Sequence, residues 1–168
     1  MNRAAFVILA AALAGGAHAQ TASTITEAKQ SYTTYKNNLI KAAEKMPEDA
    51  YTFKPTDAQR SWGDLMLHIA GQYRACGAVV GGEQKNLDLK KTSKADIVAA
   101  LKDSFAVCDA AWDSMNEKTS IETIAGRGGQ RTKLGTLIGS AVHDAEEYGY
   151  AAVYMRVKGV TPPSSEGR

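Results

Sequence analysis

No basic run interleaved with aromatic residues occurs in this sequence, and after residue 19 no apolar segment approaches membrane-spanning length. The first absence removes the usual footprint of nucleic-acid binding. The second leaves the rest of the chain without a candidate membrane span. Internal repeats and low-complexity segments are missing as well. Proline is scarce: the four residues stand at 47, 55, 162 and 163, where they punctuate helical patterns instead of interrupting them. Histidine is scarcer, with three in 168 residues, and there are only two cysteines. Few groups can therefore carry metal or nucleophilic chemistry.

One of those histidines belongs to a segment of another kind. "MNRAAFVILAAALAGGAHAQ" has a positive start at Arg3, an apolar core from Ala4 to Ala14 and the small-x-small triplet Ala17-His18-Ala19. That pattern predicts a cleaved signal peptide over residues 1–19, with export to the periplasm. A retained N-terminal anchor is the alternative. Removing 19 of the 168 residues leaves 149, enough for one domain with a real core. The leader contains one of the 20 basic residues and none of the 18 acidic ones, so the mature net charge is +1. In an oxidising compartment an even number of cysteines favours pairing. Cys76 and Cys108 are 32 positions apart on two predicted helices, and facing positions on packed antiparallel helices suit a bridge. Two buried thiols that never meet are the other possibility.

Four amphipathic helices account for most of what remains. The first covers Thr21–Met46, with Ile25, Ala28, Tyr32, Tyr35, Leu39, Ala42 and Met46 at three- and four-residue steps. Ser61 caps the second, where Leu65, His68, Ile69, Gln72, Tyr73 and Cys76 share a broad face and Gly81-Gly82 ends the run. Ser93 caps the third, striped by Ile97, Leu101, Phe105, Cys108 and Trp112. "NEKTSIETIAGRGGQRT" reads as a loop or edge excursion without a clear strand pattern. Lys133–Lys158 forms the fourth helix, with Leu134, Leu137, Ile138, Ala141, Ala145, Tyr148, Ala152 and Met155 inward, and Gly159 and Pro162-Pro163 stop it. The pattern is that of an all-α four-helix bundle over residues 20–161, with 162–168 as a flexible tail.

The two remaining histidines, His68 and His143, lie mid-helix at the edge of apolar stripes. Their ring nitrogens need partners, and hydrogen bonds within the bundle edge are the ordinary solution. His143 and Glu147, four apart, project from one helix face and can converge on one ion, with Glu146 as the neighbouring alternative. Bundles build metal sites from such inward His and Glu residues with further ligands from other helices. His68 is the natural third. Two histidines and one carboxylate with open positions suit Zn, Ni, Mn or Fe, without choosing among them. Tyr73, Tyr148 and Tyr150 are either pocket-lining residues beside the site or ordinary core and rim aromatics, and Arg156 either pairs with a carboxylate such as Asp64, forms a pocket anion site or lies on the surface.

"RSWGDLMLHIAGQYRACGAVVGGE" (60–83) and "GTLIGSAVHDAEEYGYAAVYMRVKGVTPPSS" (135–165) resemble the second and fourth helices of the DinB-like proteins. The resemblance implies up-down-down-up connectivity, with a long crossover between helices 2 and 3. It also implies a three-histidine metal site at one end of the bundle. His68 and His143 match the first two family histidines, and Glu147 stands where the third is expected. A 2-His-1-Glu set carries one more negative charge and leans toward harder ions such as Mn or Fe. Family relatives include transferases and isomerases that use low-molecular-weight thiols, in which the metal lowers a thiol's pKa. Activation of water, hence hydrolase chemistry, suits an exported protein better. The competing expectation is a non-catalytic metal- or small-ligand-binding bundle with a degenerate site. Homodimerisation is a further expectation from the family.

Overall fold

The structure, a computed structural model, describes residues 24–81, 86–126 and 128–167 in full and only the backbone of 4–23. The expected leader and its cleavage site after Ala19 lie outside the fully described residues. The elements are α1 (Ala4–Lys45), α2 (Trp62–Ala70), α3 (Tyr73–Val80), α4 (Lys94–Asp113), the short α5 (Glu117–Ser120), β1 (Thr123–Gly126), β2 (Gly129–Thr132) and α6 (Lys133–Val157). Among the described residues no helix is long and apolar enough to cross a membrane.

Cross-contacts give the direction of each helix. Ile97 Cδ1 lies against Gly63, Ser104 Oγ donates to the Ala70 carbonyl at 2.6 Å, and Cys76 is bonded to Cys108. Both sequences advance together, so α2–α3 and α4 run parallel. Lys29 pairs with Asp113 at 2.5 Å and Lys94 Nζ donates to the Met46 carbonyl at 2.8 Å, which makes α1 and α4 antiparallel. Tyr154, late in α6, donates to the Arg60 carbonyl ahead of α2 at 2.9 Å, while His68 at the end of α2 meets Glu147. Helices α2 and α6 are therefore antiparallel, and the bundle is all-α with up-down-down-up connectivity. The cysteines join parallel helices, not the antiparallel pair expected.

Caps explain where the helices begin. The Ser61 and Ser93 hydroxyls accept from the amides of Asp64 and Asp96, each at 3.1 Å, and donate to the same residues' carboxylates. The second helix expected from the sequence is two. After Ala70 the chain turns through Gly71-Gln72, where a Cβ on Gly71 would sit 3.0 Å from the His68 carbonyl oxygen. The "NEKTSIETIAGRGGQRT" stretch is also more ordered than a loop. Asn116 and Thr119 form a capping box on α5, and β1 and β2 pair as an antiparallel hairpin from Thr123–Thr132 to Gly126–Gly129. Gly128 and Gly129 take φ of 90° and 126° in its turn, a region open mainly to glycine. The hairpin delivers Thr132 as the cap of α6, accepting from the Gly135 amide at 3.0 Å.

Trp62, Trp112, Tyr32, Phe105, Leu39, Leu101, Met66, Ile69 and Met155 fill the core, and all five residues of the α4 stripe are buried. The α6 stripe needs correction. Of its expected residues Leu137, Ala141, Tyr148, Ala152 and Met155 are buried and Ile138 is exposed, while Asp144 and Glu147 join the buried face. Two carboxylates on an inward face defeat a pattern drawn from apolar residues alone. The C-terminal segment is held, too: the Ser164 amide donates to Tyr148 Oη at 2.8 Å, Arg156 donates to Ser165 Oγ at 3.2 Å, and Lys45 pairs with Glu166.

Candidate metal centre

The last turn of α2 carries His68, and the middle of α6 carries His143 and Glu147 one turn apart. Antiparallel packing of these helices brings all three together. Glu147 Oε1 lies 3.2 Å from His68 Nε2 and 3.7 Å from His143 Nδ1. One donor atom from each residue falls within 4.8 Å of the others. The imidazoles meet edge to face, with centroids 5.1 Å apart and planes at 86°.

These spacings suit a metal. Ligand bonds of roughly 2.0–2.2 Å around a tetrahedral ion separate neighbouring donors by about 3.4 Å. Both carboxylate–imidazole separations bracket that value. Glu147 is buried, its side chain 8% exposed, and the only basic groups in ion-pair reach among the described residues are the two imidazoles. A buried carboxylate needs a compensating cation or strong donors. Burial, followed by the positive field of Arg60, depresses the His68 pKa, and His143 adds to that effect; Glu147 opposes it. The neutral imidazole so favoured is the ligating form. The residues thus fit a divalent ion.

A cavity of ≈ 530 Å³ opens beside the triad, walled by Ala58, Gln59 and Arg60 from the loop before α2, Leu65 from α2, and Glu147, Tyr150 and Tyr154 from α6. Of the tyrosines expected at a pocket, only Tyr150 lines this one. Tyr73 is buried with its hydroxyl toward Asn86 at 3.4 Å, and Tyr148 accepts from Ser164. Arg156 engages Ser165 and the Ala152 carbonyl, not Asp64, whose carboxylate accepts from Ser61.

Sequence reasoning placed Gln72 on the inward face of the second helix but passed over buried Asp144. Asp144 is fully buried, and among the described residues neither of its oxygens has a hydrogen-bond partner; the amide of buried Gln72 has none there either. Burial pushes the Asp144 carboxyl up to about 8, and the Glu147 charge adds to the shift. Gln72 lies close enough to pull it partly back without closing a hydrogen bond of ordinary geometry. A carboxylate next to His143 inside a helical stripe was the available signal.

Elsewhere, Cys76 and Cys108 form a disulfide with Cα atoms 4.9 Å apart, both residues fully buried.

No family model matches the chain, and no curated protein does. Solved structures do match. A DinB-like protein from Bacillus cereus superposes with a TM-score of 0.69 at 17% identity, covering 81% of this chain and 93% of its own. A DinB-like protein from Bacillus subtilis gives 0.64 at 19% identity, covering 80% and 93%. At such identities the likeness is one of fold, and the fold is that of the DinB-like proteins.

Proposed function

We propose that this chain is an exported member of the DinB-like proteins that binds one divalent metal ion through His68, His143 and Glu147. The observation that carries the reading is the approach of a buried Glu147 oxygen to both imidazoles, at 3.2 and 3.7 Å. Three protein ligands leave coordination positions open, as reactive centres require and closed structural sites do not. Bound there, a divalent ion would supply Lewis acidity and lower the pKa of a water or thiol. This chain's residues would hold the ion, keep His68 neutral, and present the adjoining cavity to a small-molecule substrate. Hydrolase or transferase chemistry follows from that arrangement, and Zn, Ni, Mn and Fe all suit the donor set.

Export is supported by the Arg3, Ala4–Ala14 and Ala17-His18-Ala19 pattern. A disulfide fits the oxidising periplasm better than a reducing cytosol. We also carry homodimerisation as an expectation, in keeping with the exposed Val142, Val153 and Val157 on α6.

The second reading is a non-catalytic bundle whose metal site has degenerated, and Glu147 in place of the family's third histidine favours it. Elemental analysis of protein purified without a metal-affinity tag separates the two. Near-stoichiometric metal, as isolated or after supplementation with Zn, Ni, Mn or Fe, is expected. Failure to retain any of the four would end the metal reading.

A further inference from the structure

Arg60 is the cation of the cavity wall that has no acidic partner. It is exposed, and no carboxylate lies within ion-pair distance of its guanidinium among the described residues. Of the two acids nearest in sequence, Asp57 is exposed with no ion pair to Arg60 among the described residues, and Asp64 accepts from Ser61 Oγ at 2.6 Å. The Arg60 backbone, by contrast, is anchored, its carbonyl accepting from Tyr154 Oη at 2.9 Å. The side chain therefore springs from an anchored point in the wall of the ≈ 530 Å³ cavity that Glu147 also lines. Its field reaches across the site, since it depresses the pKa of His68 and holds down that of Tyr154 against the effect of burial.

Size and lining define what fits. The volume lies within the range of small-molecule sites, roughly 300–1,000 Å³. Leu65 and the rings of Tyr150 and Tyr154 supply apolar walls, and Tyr150 is half-exposed, open to stacking from the solvent side. Charge defines the rest. Arg60 and Glu147 alone sum to zero, and with a divalent ion the lining becomes strongly positive. A guanidinium presents a planar fork of donors matched to carboxylate or phosphate oxygens.

We propose that this cavity binds a small organic anion, a carboxylate or phosphate ester on an apolar body, with Arg60 as its recognition residue. The proposal rests on the metal-centre reading only for the gain in affinity on metal loading. Arg60 orients the anionic group at the rim, and the apolar body lies between Leu65 and Tyr150. The ligand's other end then sits beside Glu147 and the histidines, where chemistry would occur.

Benzoate and phenyl phosphate, with neutral benzamide as control, serve as probes in titration calorimetry. The proteins are wild type, Arg60→Ala and Arg60→Lys, each with and without zinc, with metal content measured in every sample. Wild type should bind at least one anion about ten-fold or more tightly than benzamide, as expected for a charge-assisted contact. Arg60→Ala should lose about 10- to 100-fold toward the anion with metal content and melting temperature unchanged, and Arg60→Lys should recover part of it. Equal binding of benzamide, unchanged anion affinity in Arg60→Ala, or no anion binding to wild type in either form overturns the proposal. If zinc fails to load while Arg60-dependent anion binding persists, the metal reading falls and the anion site stands.

Discussion

Glu147 Oε1 stands 3.2 Å from His68 Nε2 across the α2–α6 contact, and 3.7 Å from His143 Nδ1 along its own helix. One carboxylate oxygen thus meets two imidazoles, and through His68 it ties α6 to α2. If Glu147 is a ligand, Glu147→Ala should weaken zinc or manganese binding by at least about 10- to 100-fold in a chelator competition. Glu147→His should bind again but shift preference from Mn and Fe toward Zn and Ni, because a third neutral imidazole replaces a hard anionic donor. Unchanged metal affinity in the alanine variant would remove Glu147 from the coordination set.

The Cys76–Cys108 bridge closes a loop that contains the whole crossover between the parallel helices α3 and α4. Constraining 32 residues in the unfolded chain contributes on the order of 3–4 kcal/mol in the chain-entropy model. Urea unfolding of the Cys76→Ser, Cys108→Ser double variant should show a loss of that order. Thiol titration of denatured, unreduced protein should find no free thiol. Two free thiols in exported protein would contradict the bridge, and a near-zero loss of stability would show that packing alone holds the crossover.

How far the sequence discloses this fold differs from helix to helix. Ile97, Leu101, Phe105, Cys108 and Trp112 mark α4 because its Ser93 cap and its stripe agree, and all five are buried. The break at Gly71-Gln72 is harder to see, because Gln72, Tyr73 and Cys76 continue the apolar face of α2 across it. The hairpin escapes notice because Thr123–Thr132 has little alternation and its strands are almost wholly exposed. Its glycines betray only the turn. At the site, His143 and Glu147 are legible from a four-residue spacing, which any helix would preserve. The meeting with His68 depends on how two helices pack, which spacing within one helix does not report, so scarcity of histidine and the family resemblance were its signals. Arg60 carries no motif of its own; what singles it out is a charge without an acidic partner among the described residues, on a residue that lines the cavity.

Asp144, buried beside Gln72 on the helix that carries His143 and Glu147, offers a further test. Its pKa is raised from 3.8 to about 8, so the native protein keeps a proton that the unfolded chain releases. Between those values the folded state binds more protons, and stability from this group falls as pH rises. The decline should begin near pH 4 and level off above about pH 8, at a slope of at most ~1.4 kcal/mol per pH unit. Asp144→Asn replaces the carboxyl with a neutral group of the same shape. Chemical unfolding of both proteins in chelator, from pH 4 to 9, should show near-equal stability at the acid end. The variant's advantage should then grow steadily toward pH 8. A difference that stays flat across the range would mean that the Asp144 carboxylate is accommodated in its charged form, with Gln72 as its donor.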